Sequence, residues 1–353
     1  MPPPLHEFEA AARAAMTDQA WRYVHSGAAD ELSVGEAVAA WRRRRLVPRV
    51  CRDVSTIDTA IDLLGLRLPH PVLVAPTGCH RLVHPDGEPA SAAGAGRAGA
   101  VYALSMYTTS TVAEVAAAAT GPWWLQLNVP PDLPFVVDLL AEAGEAGASG
   151  VVFTVDTPVP GLRERQRWDG VTLPDPLRFG ILGRGPFAVQ PAGPPTDIYR
   201  PALDASLTWD RLAQLCGLTA LPVLVKGLLH PADADRAVAA GADAVIVSNH
   251  GGRNLDTVIA TADALQPVVA AVAGRVPVLI DGGLRRGTDV LGALAAGATA
   301  VLVGRPVLWG LATGGAGGVQ AVIERLVYEL RMAMALCGAR SVPELAELDL
   351  LRS

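Results

Sequence analysis

Lysine is all but missing from this chain of 353 residues: of its 29 basic residues, Lys226 alone is a lysine and the rest are arginine. The four cysteines, Cys51, Cys79, Cys216 and Cys337, stand far apart without a Cys-x-x-Cys pair, so neither a zinc site nor a disulfide framework is indicated, and no metal is expected. Nowhere do about eighteen apolar residues follow one another without a Gly, a Pro or a charge, which excludes a transmembrane helix. The opening Met1-Pro2-Pro3-Pro4 has neither the basic nor the apolar part of a targeting segment. A soluble cytoplasmic protein without a membrane partner is the expectation. Net basic charge is absent as well: the formal charge is −6, and the one dense basic run, Arg42 to Arg45, lacks interleaved aromatics. That argues against a nucleic-acid partner, and the run reads as a solvated helix end. With half of its residues hydrophobic and 18% charged, the chain is not disordered.

What is present is a repeat. From about residue 70, short apolar runs alternate with Ala-rich helical stretches. Eight runs can be counted: Val72 to Ala75, Val101 to Leu104, Trp123 to Leu127, Val151 to Val155, Val223 to Val225, Ala244 to Val247, Val278 to Ile280 and Ala300 to Val303. Each is continuous rather than alternating, as strands buried on both faces are. Several helices end in Gly-Ala just before the next run (Gly147, Gly241, Gly297), where Gly supplies a left-handed cap. Eight β/α units predict an α/β protein, a (β/α)8 TIM barrel. The chain divides into an N-terminal helical segment over 1–60, including a helix from Leu5 to Tyr23, a barrel over 61–317, and a C-terminal helix and tail over 318–353. Between 157 and 207 the chain is crowded with proline and has no long periodic segment. It follows the fourth strand, so it would lie over the barrel mouth as a lid.

Barrels concentrate chemistry at the C-terminal strand ends. Here those ends carry Pro76-Thr77-Gly78, Ser105, Gln126 and Asn128, Thr154 and Asp156, Lys226, Ser248-Asn249-His250, Asp281-Gly282-Gly283 and Gly304-Arg305. Helix caps and turns would account for Ser, Asp, Asn and Gly, but not for His250, Lys226, Gln126 and Arg305. The glycines after strands seven and eight, with Arg285 and Arg305 beside them, suit a phosphate. Lys226 ends a buried strand, where an ammonium serves either to stabilise negative charge or to form a Schiff base. Val247-Ser-Asn-His-Gly-Gly-Arg-Asn-Leu-Asp256 places an imidazole three residues from a guanidinium on one glycine-rich turn, a proton acceptor beside a carboxylate clamp.

At this segment the sequence resembles the FMN-dependent 2-hydroxy-acid oxidase and dehydrogenase family, which includes glycolate, lactate and mandelate oxidising enzymes. The resemblance extends from Tyr23-Val-His-Ser-Gly-Ala28 through Ala75-Pro-Thr-Gly78, His84-Pro-Asp-Gly-Glu88 and Thr154-Val-Asp-Thr-Pro158 to Asp281-Gly-Gly-Leu-Arg-Arg-Gly-Thr-Asp289. It implies oxidation of an L-2-hydroxy acid to the 2-oxo acid on FMN, with O2 or another acceptor reoxidising the flavin, in a homotetramer. It further implies that His250 is the base and Asp156 its partner. Arg253 and Tyr23 would bind the substrate carboxylate, and Arg163 would act as a mobile second arginine. Pro76, Thr77 and Gly78 would back the flavin ring, with Ser105, Gln126, Thr154 and Lys226 bonded to it and Ser248 against it. Asp281, Gly283, Arg285, Gly304 and Arg305 would hold the ribityl phosphate. A flavin barrel isomerising a phosphorylated substrate and a flavin-binding protein without turnover are the alternatives.

Three departures bear on specificity. Asn128 stands where the family usually has a tyrosine facing the substrate, so a larger, aryl or long-chain acid is expected, unless Tyr107 refills the space. The lid stretch Pro160-Gly-Leu-Arg-Glu-Arg-Gln-Arg-Trp168 lacks the family's Arg-Arg pair. Gly78, without a Cβ, is expected to leave a pocket over the flavin where oxygen reacts, which keeps oxidase, dehydrogenase and decarboxylating monooxygenase all open.

Overall fold

The computed structural model describes residues 2–166, 173–184, 187 and 198–352. Among them, eight parallel strands close a barrel in sequence order: Val72–Thr77, Tyr102–Ser105, Trp123–Leu127, Val151–Thr154, Val223–Leu228, Ala244–Val247, Val278–Ile280 and Ala300–Val303. The last pairs with the first, Val301 beside Val72.

Each strand is apolar throughout because it is packed twice. Successive side chains point to opposite faces. Leu73, Trp124, Val152, Leu224, Ile246, Leu279 and Leu302 fill the interior, whose floor is closed by the hairpin Ile61–Leu63 and Leu66–Leu68. Their neighbours Val72, Val74, Leu125, Val151, Val225 and Val245 meet the surrounding helices. Two residues further along the inward row the chemistry changes: Trp124 gives way to Gln126, Val152 to Thr154, Leu224 to Lys226, Ile246 to Ser248, Leu279 to Asp281 and Leu302 to Gly304. The same row that makes the core therefore makes the site.

The Gly-Ala signals are helix ends as expected: Gly147, Gly241 and Gly297 have φ of +85°, +97° and +99°. The third, sixth, seventh and eighth strands have the expected bounds; the second is shifted by one residue, and the fourth stops one residue early at Thr154. The first and fifth extend by two and three because pairing continues past the apolar run, the fifth including Lys226 and reaching Leu228. The expected helix from Leu5 to Tyr23 is two, Leu5–Ala15 and Asp18–His25, broken where the Thr17 hydroxyl accepts from the Ala20 amide at 3.2 Å. The basic run is a solvated helix end only in part: Arg42 and Arg43 close a helix and are exposed, as is Arg45, but Arg44 is not. Helix Leu32–Arg42 stops there, and Arg44–Leu46 is a strand paired with Leu350–Arg352. Arg44 is buried against the Trp41 ring and donates to the Ala262 carbonyl. The C-terminal helix begins earlier than residue 318, at Arg305, and continues to Cys337 across a break at Gly314 and Gly315.

Candidate active site

A cavity of about 290 Å³ opens at the C-terminal mouth, lined by residues from all eight strand ends and from the segments that cover them. Strands two to five are neighbours, and their ends present a row of hydrogen-bonding groups whose polarity can be read off. Ser105 Oγ accepts from the Tyr107 amide at 3.2 Å, leaving its O–H to donate. Gln126 spends both Nε2 hydrogens, on Asn128 Oδ1 at 2.7 Å and Thr154 Oγ1 at 2.9 Å, leaving Oε1 to accept. Thr154, already an acceptor, has its own hydrogen left. Lys226 Nζ is held by Ser248 Oγ at 2.9 Å and Asp281 Oδ2 at 3.2 Å with a third hydrogen remaining. Donor, acceptor, donor, donor is the complement of the C4 carbonyl, N3–H, C2 carbonyl and N1 of a flavin, so the residues present fit that ring.

The opposite end fits a phosphate. Gly282 and Gly283 turn at φ of +94° and +76°, and a Cβ at Gly283 would lie 2.2 Å from the Ala37 carbonyl oxygen. Arg305 donates to three backbone carbonyls, of Val24, Gly251 and Ser26, each at 3.0 Å. Arg285 lies over the Trp309 ring at 5.1 Å. Neither forms a carboxylate salt bridge among the described residues. Burial, reinforced by Arg285, pulls Arg305 down to about 10, as expected of a buried cation whose counterion is a ligand. Asp281, which lines this end, has its Oδ1 buried without a hydrogen-bond partner among the described residues.

His250 lies across the cavity at φ +56°, a conformation uncommon for a non-glycine residue. Its Nδ1 meets Asp156 Oδ1 at 3.0 Å, so Nδ1 carries the hydrogen and Nε2 presents its lone pair. Asp156 is placed by Asn254 Nδ2, which donates to its carbonyl at 2.8 Å, and by Gly227, where a Cβ would come within 2.6 Å of the Asp156 side chain. Burial lowers the imidazole below its ordinary value, against the opposing pull of Asp156. For Asp156, burial acts upward, but the His250 ion pair and hydrogen bond and the charge of Lys226 outweigh it, and the carboxyl stays low. Arg253 Nη1 donates to the carbonyls of Tyr23 at 2.7 Å and Ser26 at 2.9 Å, with its guanidinium 5.3 Å above the Tyr23 ring. Burial, together with Arg163, brings Arg253 down to about 9. Arg163 is folded inward, donating to the Arg253 carbonyl at 2.9 Å.

Of the residues the sequence singled out, Asp156 and Ser248 do not line the cavity; they lie behind His250 and Lys226 and hold them. Pro76, Thr77 and Gly304 sit at the mouth as expected. Gly78 does not leave an open pocket: a Cβ there would stand 2.8 Å from Tyr107 Cβ, 2.9 Å from the Tyr107 carbonyl oxygen and 3.0 Å from the Tyr23 hydroxyl. Asn128 borders the cavity, yet its amide also donates to Thr157 Oγ1 at 2.7 Å. Sequence reasoning missed Thr157 and the apolar wall of Phe179 and Leu203, from the proline-rich stretch, where Phe179 meets Tyr107 edge-to-face at 6.0 Å. Aromatic residues inside that stretch were the available signal. It also gave no role to Glu88, which is buried and accepts from the backbone amides of His80 and Thr109, while His80 Nε2 lies 2.7 Å from Thr77 Oγ1. Of the lid stretch, Arg167 and Trp168 lie outside the described residues.

Fold and site define a flavin-dependent barrel enzyme. The chain belongs to the FMN-dependent dehydrogenase family, whose model matches residues 12–352. It is 42% identical to a peroxisomal (S)-2-hydroxy-acid oxidase of Oryza sativa subsp. japonica over 98% of this chain and 94% of that protein. It is 43% identical to an L-lactate oxidase of Nostoc sp., covering 97% and 96%. A crystal structure of mandelate oxidase with (S)-2-phenylpropionate superposes with a TM-score of 0.90 at 38% identity, covering 99% of this chain and 98% of that one.

Proposed function

We propose that this protein oxidises an L-2-hydroxy acid to the 2-oxo acid, with O2 reduced to H2O2. The observation that carries the reading is the pairing of a buried, Asp156-oriented His250 with the unneutralised Arg253 in one cavity that also complements a flavin. FMN, which Ser105, Gln126, Thr154 and Lys226 would hold at its ring and Arg285 and Arg305 at its phosphate, would supply the two-electron redox chemistry between substrate and O2. Arg253 holds the substrate carboxylate through a charge-assisted fork, and Arg163 closes over it. His250 Nε2 takes the proton released at the hydroxyl-bearing centre, and Asp156 stabilises the resulting imidazolium. Lys226, fixed by Ser248 and Asp281, would present its ammonium to the bound ring and stabilise negative charge there. Phe179, Leu203 and Tyr107 cover the cavity and exclude water.

Phe179, Leu203 and Tyr107 favour an aryl or long-chain acid over glycolate, each buried CH₂ contributing about 0.8 kcal/mol. Among the described residues, no helix is long and apolar enough to cross a membrane. The reading includes a cytoplasmic homotetramer. Assembly is supported by Tyr328, Met332 and Leu336, exposed by 45%, 46% and 70% at four-residue intervals along the C-terminal helix.

The test is anaerobic addition of a panel of 2-hydroxy acids to the yellow protein, followed by air. Bleaching, fastest with aryl acids, and then 2-oxo acid and peroxide in equal amounts are expected. A protein that stays oxidised refutes the reading. Bleaching followed by a decarboxylated acid with little peroxide identifies a monooxygenase, and slow reoxidation in air a dehydrogenase.

A further inference from the structure

We propose that Asn128 is a positioning residue for the cofactor: it locks the Gln126 amide so that an acceptor, not a donor, faces the flavin edge. The inference rests on the reading of Gln126 as a flavin ligand. An amide side chain can present either end to a partner, and the choice is set by what holds the other end. Gln126 is buried on the third strand, and both of its Nε2 hydrogens are committed, to Asn128 Oδ1 at 2.7 Å and Thr154 Oγ1 at 2.9 Å. Its Oε1 accepts from no described residue and is left to the cavity that Gln126 lines.

Asn128 is itself held at two further points. Its Nδ2 donates to Thr157 Oγ1 at 2.7 Å, and its backbone amide donates to Met106 Sδ at 2.9 Å. With Nδ2 turned to Thr157, Oδ1 is the end that Gln126 meets. The chain Thr157, Asn128, Gln126, Thr154 thus joins the ends of strands three and four and the start of the lid. Without Oδ1 of Asn128, Gln126 loses one fixed acceptor and can turn an N–H toward the flavin N3–H, donor against donor.

The experiment is competition between FMN and 3-methyl-FMN, which lacks the N3 hydrogen, for the holoenzyme, with the flavin content read after equilibration. The parent protein is expected to prefer FMN by about tenfold or more, the range set by leaving a buried polar group without its partner. Asn128→Leu is expected to reduce that preference to within about threefold, by weakening FMN rather than by strengthening the analogue. Asn128→Asp, an obligate acceptor, forces the same Gln126 orientation and is expected to keep the preference. If the parent does not discriminate, Gln126 does not read N3–H and the ligand assignment fails. If the parent discriminates and Asn128→Leu does so equally, while the substrate KM rises, Asn128 is a substrate contact and the proposal is overturned.

Discussion

Gly78 and Tyr107 are in such close contact that a Cβ on the glycine would stand 2.8 Å from the tyrosine Cβ. The glycine is thus required by packing, and the volume its missing side chain vacates is already filled by Tyr107 and Tyr23, two residues that line the cavity. Gly78→Ala is expected to displace one of them, destabilising the protein by about 1–3 kcal/mol through overpacking and slowing flavin reduction along with reoxidation. Thermal unfolding and stopped-flow measurement of both half-reactions decide it. A variant as stable as the parent and altered only toward O2 would mean that Gly78 governs oxygen after all.

His250→Ala should keep its flavin but lose anaerobic reduction by roughly 10²- to 10⁴-fold, the contribution of a positioned base. Equal bleaching rates in variant and parent would remove His250 from the mechanism.

The pH dependence has a definite sign. Burial holds the His250 imidazole below its ordinary 6.5, and only the neutral form accepts a proton. The rate of flavin reduction is therefore expected to stay level as pH falls through 6.5, and to drop only at lower pH. Because the unfolded chain binds this proton at the higher pH, the same group destabilises the fold as pH falls from 6.5 through the lowered native value. An acid limb centred above 6.5 would contradict the environment described here.

Arg253→Lys retains the charge but not the fork: an ammonium that keeps the Tyr23 and Ser26 carbonyls has a single hydrogen left for a ligand carboxylate. A loss of about 1.5–3 kcal/mol in kcat/KM is expected, carried mainly by KM. Unchanged kinetics would place the carboxylate elsewhere.

Lys226 and Asp281, with side chains only 4% and 10% exposed, form a buried pair. Removing one partner leaves an uncompensated charge, so Lys226→Met should cost about 3–5 kcal/mol in denaturant unfolding and impair flavin retention. Adding Asp281→Asn should recover part of the stability. Strict additivity of the two substitutions would show that the pair is not coupled.

Much of the fold was legible because its signals are local. A strand buried on both faces must be apolar throughout, and a helix ending in Gly-Ala needs a left-handed residue there; both leave marks within ten residues of chain. The site was legible for a related reason: the inward row of each strand turns polar at its C-terminal end, so Gln126, Thr154, Lys226 and Asp281 interrupt otherwise apolar runs. Less was visible where a basic run was judged by composition. Arg44 reads as solvated until the Trp41 ring and the Ala262 carbonyl are brought to it.

By itself, then, the amino-acid sequence determined the number of β/α units, the end of the barrel that gathers the polar strand ends, and the one turn that brings His250 and Arg253 together. These follow from residue type and spacing along the chain. The tertiary structure alone decided which polar groups face which. Asn128 meets Thr157 across 29 residues of sequence, and Gln126 meets Thr154 across 28. Such partners depend on the stagger between neighbouring strands as the barrel closes, and a uniformly apolar strand does not reveal its stagger. For the same reason the orientation of the Gln126 amide, the engagement of Asn128 with Thr157 and the filled space beside Gly78 appear only when the strand ends stand side by side.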